Sequence, residues 1–233
     1  MTEVNWTPLE SNAEVMTEYA HALGLPEKYS LEDCLGLDEE LLALVPANTR
    51  AVVLIYPYDE AREKVRDEEQ QDKRQPVNGD VWYMTQLVGN ACGTIALIHA
   101  IANTVPREEL RQGSPLARFF EAAKRLETAD ARGRALAGSV ELARVHKTHA
   151  EQGQTDHTEH VEVDYHFVCL CRIGDKLYEL DGARPSACPI LHGQTSADRF
   201  VFDAAQVVER EWLSRFEGVL NFGIVTLSER DQH

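Results

Sequence analysis

Gln86, Cys92, His166 and Asp181 appear in the chain in an order suited to thiol chemistry. Cys92 stands where an irregular segment enters the strongly apolar run Ala91 to Asn103. Amide groups at the start of a helix lack intrahelical partners and stabilise negative charge. That setting favours the thiolate, the reactive form of cysteine. The competing account is a buried structural cysteine, because free cysteine is among the most buried residue types.

The partners of the thiol come from a hairpin. Tyr165 to Ile173 and Lys176 to Leu180 read as strands around Gly174-Asp175, a two-residue turn. Continued along the strands, that turn sets Val168 opposite Asp181 and His166 opposite Ala183. His166 and Asp181 then share a face as diagonal neighbours, about 7–8 Å apart at the backbone. A carboxylate accepting from one ring nitrogen fixes the tautomer and leaves the other nitrogen to act on a thiol. The same register turns Cys169 and Cys171 to the opposite face. A zinc site built from His166 and these two cysteines is therefore disfavoured, since its ligands would diverge. Gln86 precedes Cys92 by six residues and is placed to supply a donor to the oxyanion of acyl transfer. Thiol-dependent acyl transfer is the chemistry these residues support best.

Other candidates have blander accounts. His99, inside an apolar helix, reads as a core histidine. His146/His149 and His157/His160 have a spacing that could bind metal, but they lie in a polar stretch without cysteine partners, and chance explains them better. No metal and no cofactor is expected.

The elements that must position these residues alternate helix and strand. Ser11 to Glu14 resembles a capping box ahead of a helix with apolar Val15, Tyr19 and Leu23 and a stop at Gly24. A short helix is expected from Asp38 to Pro46. Ala51 to Tyr56 is an apolar run of strand length, typical of a strand buried on both faces. Ser114-Pro115 opens a helix that continues, with a break near Asp130–Gly133, to about Val145. Asp203 is expected to cap a helix over Ala204 to Leu213, and Leu220 to Leu227 to form a last strand. Two polar stretches remain. Asp59 to Arg74 reads as a solvated helix or loop, and His146 to Glu162 as a long exposed loop of the kind that often has a function. The pattern as a whole suggests an α/β layered fold.

Composition narrows the classes. The 233 residues, 43% hydrophobic and 27% charged, suit one large domain or two small ones with a core that needs no staple. The net charge of −16 argues against nucleic acid and anionic membranes as partners, since both select cationic surface. The start of the chain lacks the basic and apolar regions of a secretory signal, and no apolar run is long enough to span a membrane. Five cysteines, an odd number, are expected to be reduced in the cytosol or nucleus.

Longer motifs resemble a known family. Gln86 to Asn103 closely resembles the active-site segment of the ubiquitin C-terminal hydrolases, the UCH cysteine proteases. His166-Phe167-Val168 and Leu177 to Gly182, with Pro185 and His192-Gly193, resemble that family's second signature. Trp6 to Asn12 and Leu41 to Pro46 are similar as well. The resemblance covers essentially the whole chain as one catalytic domain, residues 1–233, of the short form that lacks a C-terminal extension. It implies Cys92 as nucleophile, His166 as general base and acid, Asp181 as the residue orienting His166, and Gln86 with the Cys92 N–H as the oxyanion hole. It also implies a papain-like α-β-α sandwich with a knotted backbone and a crossover loop at about 147–163 over the active site. Ubiquitin is the implied partner, bound near Pro8, Leu9, Glu10, Glu14 and Asp33 by a monomer. Taken as residues alone, Glu10 and Asp33 read as solvated acids. The expected reaction releases small adducts or short peptides from the C-terminal glycine of ubiquitin. Alternatives are a preference for a ubiquitin-like modifier such as NEDD8, non-catalytic binding of monoubiquitin, and acyl transfer from a small-molecule donor.

Overall fold

A computed structural model describes residues 5–77, 80–151, 165–215 and 221–230. The helices are α1 (Ala13–Leu23), α2 (Glu39–Leu42), α3 (Glu60–Glu69), α4 (Cys92–Thr104), α5 (Pro115–Ala123), α6 (Ala129–Ala137), α7 (Val140–Ala150) and α8 (Phe200–Glu211). The strands are β1 (Tyr29–Asp33), β2 (Thr49–Pro57), β3 (Tyr165–Ile173), β4 (Lys176–Leu180), β5 (Ile190–Gln194) and β6 (Gly223–Glu229). They form one sheet in the order β1-β6-β2-β3-β4-β5, and every neighbouring pair is antiparallel.

The apolar run at Ala51 to Tyr56 lies in β2, between β6 and β3, buried on both faces. Alternation along β2 and β3 divides the core. Val53, Ile55, Phe167, Cys169 and Cys171 join the cluster that contains α1 and α4. Val52, Leu54, Tyr56, Val168 and Leu170 join the cluster that contains Phe200, Val208 and Trp212 of the α8 region. Helices therefore cover both faces, giving the α-β-α sandwich expected. The β3–β4 hairpin has the register read from the sequence, with Ile173 opposite Lys176 and Cys169 opposite Leu180. Cys169 and Cys171 point into the α4 side of the core, so the disfavoured zinc set does not assemble.

Several local expectations are corrected. Asn12, not Ser11, caps α1, accepting from the Glu14 and Val15 amides. The helical break falls at 124–128 and again at Gly138-Ser139, while Gly133 is inside α6. Its bare backbone is needed there, because a Cβ would lie 2.3 Å from the Thr85 carbonyl oxygen. α8 begins at Phe200, and Asp203 sits in its first turn accepting from the Thr195 hydroxyl at 2.7 Å. The short strands β1 and β5 had no clear signal in the sequence.

The larger corrections concern the polar stretches. α3 is not simply solvated: Glu63, Arg66 and Asp67 are buried on one of its faces, and its C-cap Gln70 is buried with them. Likewise, the expected loop from His146 begins as helix, since α7 runs to Ala150 and His146 is buried. The rest of the expected crossover loop, 152–163, lies outside the described residues. The knot depends on the path through 152–164 and 216–220 and is outside them as well.

Candidate active site

Cys92 is the first residue of α4. The preceding residue, Ala91, offers no side-chain cap to the helix. The first amide groups of α4 are thus left for an anionic ligand at the thiol. Asn90 enters the helix at φ +59°, a left-handed conformation that asparagine tolerates better than most residues. Its Nδ2 donates to the Trp6 carbonyl at 3.1 Å. The N-terminal strap thereby holds the loop that presents the thiol. Trp6 N–H donates to the Gly89 carbonyl at 2.9 Å, and Leu9 packs against Gly93. Cys92 is partly exposed, with Sγ 3.9 Å from the Tyr165 carbonyl oxygen, which places it beside the strand end that carries His166.

His166 and Asp181 meet as the hairpin register requires. The imidazole Nε2 donates to Asp181 Oδ1 at 2.7 Å, leaving Nδ1 for the thiol. Both side chains are buried. Burial alone would lower the His166 pKa; the Asp181 carboxylate outweighs it, and with help from Cys92 the pKa stands well above its ordinary value. Burial likewise pushes the Asp181 carboxyl up, but His166, Arg184 and Arg66 bring its pKa below the usual value. These shifts favour an imidazolium held by a carboxylate, which carries the proton a departing amine needs. Tyr56 and Tyr58 rings lie 5.7 and 5.3 Å from the imidazole and shield it from water.

The Asp181 turn is tied to the Gln86 segment. Gln86 N–H donates to the Gly182 carbonyl at 2.7 Å, and Asp181 Oδ1 also accepts from the Ala183 amide at 2.9 Å. Among the described residues the Gln86 side-chain oxygen is buried without a hydrogen-bond partner. That oxygen can only accept, so any donor from this side chain to an oxyanion is the Nε2 of the same amide. His99 fits its core reading. Burial lowers its pKa to about 4, and its Nε2 accepts from the Met84 amide at 3.1 Å. Its ring stacks on Tyr83 at 5.1 Å, and the Tyr83 hydroxyl donates to the Asp181 carbonyl at 2.5 Å.

A buried charge network behind Asp181 was not expected from the sequence. Glu179 accepts from Arg66 Nη1 at 2.7 Å, from Arg184 Nη2 and from His192 Nε2 at 2.8 Å. Arg66 also pairs with Glu63, and Arg184 with Asp67. The available signal was the spacing of Glu63, Arg66, Asp67 and Gln70. It traces one helix face, but with charges where apolar residues would ordinarily mark burial.

A family model described as ubiquitin carboxyl-terminal hydrolase, family 1, matches residues 6–212. The chain belongs to that family. Ubiquitin carboxyl-terminal hydrolase 3 of Arabidopsis thaliana is 38% identical, over 97% of this chain and 94% of the relative. The ubiquitin carboxyl-terminal hydrolase of Drosophila melanogaster is also 38% identical, over 98% of this chain and 100% of the relative. The fold is similar to the Trichinella spiralis UCH37 catalytic domain bound to ubiquitin vinyl methyl ester, with a TM-score of 0.73 at 23% identity and 97% of each chain covered.

The other residues expected at a ubiquitin carboxyl-terminal hydrolase site are dispersed. Pro8 is exposed and Glu10 partly so, whereas Leu9 is buried against α4. Leu9 thus shapes the strap more than it offers surface. Glu14 and Asp33 are exposed and line a separate open cleft with Glu18, Glu27 and Glu32. Among the described residues no group of three or more His, Cys, Asp or Glu is arranged to hold a metal ion. Among the described residues no helix is long and apolar enough to cross a membrane.

Proposed function

We propose that this chain is a ubiquitinyl hydrolase that cleaves small adducts and short peptides from the C-terminal glycine of ubiquitin. The observation that carries the reading is the convergence of Cys92, the His166–Asp181 pair and the Gln86 segment at the start of α4, in a chain of this family.

The geometry supports a two-stage reaction. The Cys92 thiolate attacks the glycine carbonyl carbon, and the oxyanion forms between the Cys92 N–H and the Gln86 amide. Preorganised donors of this kind act where charge develops and need no reorganisation during the step. The C–N bond breaks as His166 Nδ1 gives its proton to the leaving amine, and a thioester on Cys92 remains. His166, now neutral, takes a proton from water, the resulting hydroxide attacks the thioester, the C–S bond breaks to return the thiolate, and the carboxylic acid formed gives its remaining proton to solvent. Asp181 keeps the ring oriented through both stages.

Ubiquitin vinyl methyl ester tests this directly. It should label the wild-type protein at one site, with no label in Cys92→Ala, while Cys92→Ala still binds ubiquitin. Labelling that persists in Cys92→Ala would refute the assignment. Parallel turnover of ubiquitin and NEDD8 fluorogenic amides decides the modifier, and faster NEDD8 turnover would overturn the ubiquitin reading.

A further inference from the structure

Beneath the N-terminal strap, three elements meet at one buried imidazole. His146 of α7 is 1% exposed. Its Nε2 lies 2.7 Å from the Thr7 carbonyl oxygen of the strap, and its Nδ1 lies 2.8 Å from Thr94 Oγ1 of α4. Thr94 Oγ1 in turn lies 2.9 Å from the Tyr19 hydroxyl of α1. The directions of these bonds follow from the chemistry. A carbonyl only accepts, so Nε2 carries the proton to Thr7. In the neutral ring Nδ1 then accepts, and Thr94 must donate to it. The Thr94 oxygen is left to accept from Tyr19. Burial lowers the His146 pKa and so favours the neutral ring that this pattern needs. The Trp6 ring rests on the imidazole at 4.5 Å.

The strap is thus fixed from below at three places. Gly89 and Asn90 hold Trp6, Gly93 receives Leu9, and His146 holds Thr7. The side chains of Thr7 and Pro8 are left exposed, next in the chain to Trp6, which is bonded to the turn before Cys92. His149 does not join His146 in a metal pair, since its Nδ1 bonds to the Val145 carbonyl at 2.8 Å.

We propose that His146 is a positioning residue, which clamps the strap at Thr7 onto α4 and so sets the docking surface for the substrate protein beside Cys92. The inference rests on the ubiquitin hydrolase reading. His146 touches no reacting atom, so its effect should fall on substrate binding. A leucine at 146 would fill the space but leave the Thr7 carbonyl and the Thr94 hydroxyl without their partner, and the strap free to shift. A glutamine offers one donor and one acceptor and can restore both bonds.

The test compares wild type, His146→Leu, His146→Gln and Tyr19→Phe on a ubiquitin C-terminal fluorogenic amide, alongside alkylation of Cys92 by iodoacetamide. His146→Leu should raise KM about tenfold, the scale of one or two lost hydrogen bonds. Its kcat and alkylation rate should stay near wild type, since uniform binding alone is lost. His146→Gln should recover most of the KM. Tyr19→Phe, which removes only the end of the chain and keeps the test open if His146→Leu does not fold, should raise KM about two- to threefold. An unchanged KM in these variants, or equal losses in kcat and alkylation, would overturn the clamp while leaving the hydrolase reading intact. A wild-type protein that alkylates at Cys92 yet never turns over the ubiquitin amide would overturn the hydrolase reading, and the clamp with it.

Discussion

Gly182 links the Asp181 turn directly to Gln86, and replacing it with alanine measures how tightly the two must register. Its carbonyl accepts from the Gln86 amide at 2.7 Å. A Cβ added there would lie 2.8 Å from Ile95 Cγ2, 3.2 Å from the Gln86 nitrogen and 3.2 Å from the Met84 carbonyl oxygen. Two of the three are backbone atoms on the segment that carries Gln86, and the third is on α4 one turn beyond Cys92. Gly182 does not have a positive φ, so the backbone permits alanine and the cost is crowding alone. Overpacking of this kind costs about 1–3 kcal/mol. For a chain of this length that lowers the melting temperature by about 2–12 °C. Relief of the contacts separates Asp181 from Gln86 by a few tenths of an ångström. A misplacement of about 1 Å costs on the order of 100-fold in rate, so this shift should lower kcat about three- to tenfold. Calorimetry and steady-state hydrolysis of a ubiquitin fluorogenic amide read both quantities. Unchanged stability and kcat would show that the two segments yield to each other and that the glycine has no positioning role. A lower melting temperature with full kcat would confine its role to packing.

Gln86→Ala should lower kcat by about 10²–10³ with a much smaller change in KM, as for loss of an oxyanion donor; a change confined to KM, read from the same kinetics, would make Gln86 a binding residue. Asp181→Asn removes the charge that offsets burial at His166, so the imidazolium should be lost at lower pH. The alkaline limb of kcat/KM should then move down by at least about one unit, equivalent to about 1.4 kcal/mol, and a lower rate with an unmoved limb would make the role of Asp181 purely one of orientation. Glu179→Gln leaves two buried guanidinium groups undercompensated and should cost about 3–5 kcal/mol in urea unfolding at neutral pH. Burial pushes the Glu179 carboxyl up, yet Arg184, Arg66 and His192 hold its pKa well below the ordinary value. Its contribution is therefore complete above the unfolded carboxyl value and is lost as pH falls through the lower folded value. The gap between wild type and Glu179→Gln should narrow in acid, and a gap that widened would contradict the sign of that shift.

Much of the site could be read from the sequence because its determinants are local. The Gly174-Asp175 turn fixes the β3–β4 register through hydrogen bonds between near neighbours, and that register carries His166 to Asp181 with no knowledge of the rest of the fold. The boundary between an irregular segment and an apolar run set Cys92 at the start of α4 for the same reason. Longer motifs then supplied the family, with Gln86 at its place before Cys92. What the sequence could not show depends on contacts between distant segments. Arg66 and Glu179 are 113 residues apart, and each is an ordinary charged residue until α3 and β4 meet and exclude water around both. His146 is similar: in the sequence it belongs to a polar stretch with an unconvincing metal spacing, and only packing against Trp6, Thr94 and Tyr19 makes it a buried clamp. Burial of a polar group is decided by which partners the tertiary fold brings to it, because an unpartnered charge or amide would not remain inside. Local hydrogen bonding thus wrote the His166–Asp181 pair into the sequence, whereas desolvation across distant elements decided what surrounds it.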